Sequence, residues 1–148
     1  MKIAMIGAGN LATNLAKALY AKGHEIIEVY SRTMESAREL ASCVEATPRN
    51  DINDVTCDAD IYILALKDSV LGDIIPPLCE GRIDSVFVHT AGSVSIDVFK
   101  GHAIRYGVVY PMQTFSKSRE MDFSIIPVFV EASDKETLGT LETLAYSV

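Results

Sequence analysis

Two short segments combine residue types able to hold a phosphorylated ligand, and each stands where an apolar run ends. The first is Gly7-Ala8-Gly9-Asn10-Leu11-Ala12, a Gly-x-Gly-x-x-Ala turn directly after Lys2-Ile3-Ala4-Met5-Ile6. Its small residues have separate mechanical jobs. Gly7 permits the tight bend, and Gly9 lets the backbone approach a pyrophosphate without a Cβ in the way. Ala12 lets the next helix pack closely on the strand. That helix begins through Asn10 and Leu11, and its free N–H groups and positive dipole end then face the phosphates.

The second segment, Ser31-Arg32-Thr33, discriminates between the two nicotinamide dinucleotides. An acid at this place serves the 2′-hydroxyl of NAD, whereas Arg and hydroxyl residues serve the 2′-phosphate of NADP. The turn holds no acid. Arg32 can fork two N–H groups onto a phosphate and lay its guanidinium against adenine, while Ser31 and Thr33 donate hydroxyls. NADP is therefore the favoured cofactor. Two readings compete with this: Thr33 also has the type and place of a helix N-cap, and a two-residue shift in register would make Glu28 an NAD-type acid.

Candidates for the chemistry itself are sparser. His89 ends an apolar run at the expected cleft edge and titrates near neutral pH, as a proton donor must. The plainer role for it is a ring that hydrogen-bonds its own loop. Gln113, with Tyr110 and Thr114, offers polar groups to orient a substrate. His24 and His102 each adjoin a glycine and read as surface residues. No Ser-His-Asp order, carboxylate pair or metal-ligand spacing stands out. Cys43, Cys57 and Cys79 show no Cys-x-x-Cys spacing, which points to reduced thiols of a cytoplasmic protein.

The elements that must position these residues alternate between apolar runs and helix-period segments. This predicts an α/β fold, a doubly wound, mostly parallel Rossmann sheet with helices on both faces, in a single domain over 1–148. Strands are expected over 2–6, 25–30, 61–66, 85–89, 103–110 and 125–130. The first helix turns Leu11, Leu15, Ala18 and Leu19 to one side and stops at Gly23. Thr33 caps a second helix through Leu40. A short apolar stretch over 44–46 ends at Pro48, and 50–55 reads as a brief helix. A further helix from Ser69 is expected to stop at Pro76-Pro77, since helix interiors reject proline. One helical turn is expected over 96–100 and a last helix from Ser133. The stripe Leu138, Leu141, Leu144 and Ala145 on that last helix reads as a surface meant for further helices or another subunit.

Composition narrows the partners. Thirteen basic against 20 acidic residues leave a net charge of −7, a poor match for nucleic acid. No stretch approaches the roughly 18 apolar residues of a membrane span, and no signal-peptide pattern opens the chain. A small-molecule substrate remains the expected partner.

Three segments together resemble the NADP-binding domains of pyrroline-carboxylate reductase, the 6-phosphogluconate dehydrogenase-like superfamily and the F420-dependent NADP oxidoreductase group. They are the glycine turn, Tyr30-Ser31-Arg32-Thr33 and Leu64-Ala65-Leu66-Lys67-Asp68. The segments Val88-His89-Thr90-Ala91-Gly92-Ser93 and Gly107 to Phe115 extend the resemblance to Rossmann-like proteins that carry a DUF2520 helical domain. The resemblance implies an oxidoreductase transferring hydride to a small molecule, with Ala65, Leu66 and Lys67 passing under the nicotinamide ribose. It also implies a homodimer and a C-terminal helical domain that completes the cleft, which is not recognisable in these 148 residues. Little or no turnover by the chain alone is the expectation. The family places His before the Pro of its Pro-Met-Gln-Thr-Phe segment, and this chain has Tyr110, which weakens a catalytic imidazole there. Two other classes stay open, a non-catalytic nucleotide sensor and a reductase exchanging hydride with a deazaflavin.

Overall fold

The computed structural model describes all 148 residues. In chain order the first half runs β1 (Lys2–Ile6), α1 (Asn10–Ala21), β2 (Glu25–Tyr30), α2 (Met34–Cys43), β3 (Thr47–Arg49), β4 (Ile61–Leu64) and α3 (Asp68–Cys79). The second half adds β5 (Val86–His89), β6 (Arg105–Pro111), β7 (Val128–Ala132) and α4 (Lys135–Tyr146). Short 3-10 turns occupy Ile52–Asp54, Ile96–Phe99 and Phe123–Ile125. One sheet of seven strands results, in the order β3-β2-β1-β4-β5-β6-β7, and only β7 runs antiparallel to its neighbour. Strand order reverses between β1 and β4, and in such sheets the crevice beyond the carboxyl ends at that reversal binds ligands.

The central strands read as unbroken apolar runs because both of their faces are covered. Ile3, Met5, Ile61, Ile63, Val86 and Val88 join α1, α2 and α4 in one core of 21 buried residues. Their neighbours Ala4, Ile6, Tyr62, Leu64 and Phe87 face α3 in a thinner core of 13. Tyr62 stacks on Phe87 at 5.0 Å, and Phe99 continues that layer between Phe87, His89 and Tyr106. No helix is long and apolar enough to cross a membrane.

Several expected boundaries move, each for a physical reason. α3 continues through Pro76 and Pro77 to Cys79. Both prolines fall in its last turn, where only two donors are lost. Ile75, Leu78 and Cys79 are buried there and hold the turn in place. Pro48 lies inside β3, tolerated because β3 is an edge strand. The apolar stripe of α4 is not a surface: Leu141 and Leu144 are buried in the larger core, and Leu138 is half-buried. The exposed large apolar side chains of the last third are instead Ile104, Met112, Ile125, Phe129 and Tyr146.

Candidate functional site

Three backbone bonds bind the strand ends into one rim: Gly7 N donates to Tyr30 O at 2.8 Å, Ala65 N to Ile6 O at 2.9 Å and Ser31 N to Arg49 O at 3.0 Å. Above this rim runs a groove of about 500 Å³. Gly7, Ala8 and Gly9 floor it, Ser31 and Arg32 line one end, and Ala65, Leu66 and Lys67 line the other. It lies at the β1–β4 reversal.

Gly7 and Gly9 differ in what they are for. Gly7 has φ of +121°, and a Cβ there would run into the Ala65 carbonyl. It is needed to bring β1 and β4 together. Gly9 has φ of −81°, open to any residue, and a Cβ there would meet nothing within 4 Å. Its lack of a side chain leaves space that nothing in the fold requires. That space fits a pyrophosphate approaching the backbone. α1's first intrahelical bond runs from Thr13 N to Gly9 O at 2.9 Å, which leaves the N–H groups of Asn10, Leu11 and Ala12 without helical acceptors. Asn10 is exposed, Leu11 half-buried, and Ala12 sits in the core against the sheet.

The second turn settles where Glu28 points. Its carboxylate is buried, pairing with Arg49 at 2.8 Å and accepting from Thr56 N at 2.7 Å. It does not line the groove. Thr33 does not line it either: its Oγ1 accepts from Ser36 N at 3.4 Å as the cap of α2. Ser36 lines the groove instead, beside Arg32, which is exposed and in no ion pair. Arg32, Lys67 and Lys117 give the lining three cations and no acid, within a chain of net charge −7. Such a wall suits a polyphosphate. Ser36 and Lys117 were not foreseen from the sequence. Ser36's signal was its place in the first turn after the Thr33 cap; Lys117 is too far along the chain to have given one.

Two candidates for chemistry lie elsewhere. His89 is fully buried under the loop after β5. Its Nδ1 accepts from Ala91 N at 3.1 Å, so the neutral ring carries its proton on Nε2, which is buried with no partner. Burial pushes its pKa below the usual histidine value, against the pull of the Ser95 backbone and the Asp68 and Glu131 carboxylates. Gln113 is exposed and folds back, its Oε1 accepting from Thr114 N at 3.0 Å. Tyr110 instead lines a second, more apolar concavity of about 420 Å³ with Ala91, Gly92, Val94, Met112 and Phe129. His102 is exposed, while His24 is half-buried and bonds Ser147 Oγ at 2.9 Å.

Comparison with known proteins identifies the family and the fold. The family model described as NADP oxidoreductase, coenzyme F420-dependent, matches residues 2–91. The chain belongs to that family. A candidate NADP oxidoreductase from Bacteroides fragilis is 53% identical and superposes with a TM-score of 0.96, over 99% of this chain and 57% of its own. Pyrroline-5-carboxylate reductase from Coxiella burnetii shares the fold at 22% identity and a TM-score of 0.80, over 99% of this chain and 56% of its own. Glutamyl-tRNA reductase from Shouchella clausii is 41% identical over 63 residues, which are 41% of this chain and 14% of that protein. The chain thus spans little more than half the length of the solved relatives.

Proposed function

We propose that this chain is the NADP(H)-holding domain of an oxidoreductase acting on a small molecule. The observation that carries this reading is the groove at the strand reversal, with Gly9 open and three cations and no acid in its wall. Gly7 to Leu11 hold the pyrophosphate, Ser31, Arg32 and Ser36 hold the 2′-phosphate, and Ala65 to Lys67 support the nicotinamide ribose. When bound, the reduced nicotinamide supplies a hydride. The residues of this chain bind and orient the dinucleotide along the strand ends and exclude water from its inner side.

The second concavity, beside Ala91, Tyr110 and Met112, is the place proposed for substrate, with Gln113 at its rim. His89 acts there through its loop, which it fixes by the bond to Ala91 N. The exposed apolar side chains of Met112 and Phe129 support a cover over this region, and a second copy in a homodimer is the cover proposed. Three unpaired cysteines support a cytoplasmic setting.

Titration of NADPH and NADH by nicotinamide fluorescence tests the reading. NADPH is expected to bind at least about tenfold more tightly, a difference near 1.4 kcal/mol. Equal affinities would overturn the assignment of Ser31 and Arg32. The family match favours one further reading, hydride exchange between NADP and coenzyme F420. F420-dependent oxidation of NADPH would establish it.

A further inference from the structure

A cation reaches the cofactor groove from a loop about 85 residues beyond Arg32. Lys117 is part of the groove's lining, as are Gly9, Arg32 and Ser36. The loop that delivers it is firmly built. Asn14 of α1, nearly buried, donates its Nδ2 to Ser116 O and to Asn10 O, both at 2.9 Å. Phe115 stacks on the buried Phe123 at 5.7 Å, and Ser116 bridges to Arg119. The backbone on the N-terminal side of Lys117 is thus pinned over the first turns of α1, while its side chain stays half-exposed. Its nearest acid is Glu39, at 3.7 Å. Glu39 lies one helical turn beyond Ser36 on α2, which places Lys117 Nζ at the Ser31–Ser36 end of the groove rather than at the nicotinamide end.

We propose that Lys117 is a specificity residue for the 2′-phosphate, closing on it from the side opposite Arg32. This rests on the reading of the groove as an NADP site. Between exposed partners the bond to Glu39 is weak and readily exchanged. A phosphate monoester carries nearly two negative charges and three acceptor oxygens, so it outcompetes one carboxylate for the ammonium. Glu39 then acts as a parking place that keeps Lys117 extended over the groove when no nucleotide is bound. Loop 112–122 in turn becomes a strap joined to the cofactor by that single contact.

The test uses the fluorescence of NADPH and displacement by two probes, 2′,5′-ADP and 5′-ADP. Lys117→Ala is expected to weaken NADPH and 2′,5′-ADP by about three- to tenfold while leaving 5′-ADP and NADH unchanged. Lys117→Arg restores most of the loss, because the charge returns. Glu39→Gln tightens 2′,5′-ADP or leaves it alone. Unchanged affinity for 2′,5′-ADP in Lys117→Ala would overturn the proposal, and so would equal loss for both probes, which would move the contact to the pyrophosphate. Failure of the unaltered protein to bind 2′,5′-ADP at all would overturn the NADP reading itself, a result distinct from either. An unchanged melting temperature confirms that Lys117→Ala folds.

Discussion

The two halves of the sheet's carboxyl edge are built on opposite plans. From β3 to β4 the edge is a groove made of backbone: glycines, strand-end carbonyls and amides, and three cations with no acid among them. From β5 to β7 it is apolar and open, with Met112 and Phe129 more than half exposed and the His89 ring hidden beneath. The first half recognises by charge and by the absence of side chains. The second presents surface that needs a cover. On the reading proposed above, they separate holding a cofactor from choosing what reacts with it.

The largest effect should come from the glycine that makes the groove. Gly7→Ala puts a Cβ against the Ala65 carbonyl at a φ that L residues avoid. It should lower stability by about 2–4 kcal/mol, seen as a fall of roughly 5–15 °C in Tm for a domain of this size. Gly9→Val should do the reverse. Its Cβ meets nothing within 4 Å and its φ suits any residue, so Tm should move little, yet NADPH affinity should fall at least about tenfold as the side chain fills the phosphate space. If Gly9→Val unfolds the protein, or binds NADPH normally, the division between a folding glycine and a binding glycine is broken.

Arg32→Ala sharpens the same comparison within the groove. A hydrogen bond to a charged partner contributes about 1.5–3 kcal/mol, so NADPH affinity should drop about tenfold to a hundredfold. NADH should be nearly unaffected. Equal losses for both would mean that Arg32 carries the adenine instead of the phosphate.

The first plan was legible in the sequence and the second was not, for a reason of distance. β1 and β2 could be bounded to the residue, because short apolar runs end abruptly at Gly7 and Ser31, and the groove lies within a few residues of those ends. Glu28 could not be placed from its spacing, since only the fold brings Arg49 and Thr56 to it. Lys117 was silent for the same reason, and so was the fate of the α4 stripe, where periodicity gives a face but not what covers it. Pro76-Pro77 misled because proline's local cost was weighed without the burial that holds the last turn of α3.

The smallest expected effect is one of pH, and its acid limb rests mainly on His89 at the end of β5. His89, stacked on Phe99, and Cys79 are both buried on the face of the sheet that carries α3. Burial lowers the His89 pKa, so below the unfolded value near 6.5 the unfolded chain binds more protons than the folded one, and stability falls with falling pH. Burial pushes the Cys79 thiol up to about 12 from an ordinary value of 9.0, so stability is also lost as pH rises between those values. Stability should therefore be greatest near pH 7–9. His24, likewise lowered by burial and by the nearby amino terminus, adds to the acid limb. Between pH 7 and 5.5 stability in urea unfolding should fall with falling pH, and His89→Gln should remove most of that slope while His24 leaves a remnant. Hydrogen exchange gives the local reading: on acidification the amides of residues 86–94 should lose protection before those of residues 2–9. Uniform loss along both segments would show that the two halves open as one unit, and the contrast drawn here would then belong to their surfaces and not to their stability.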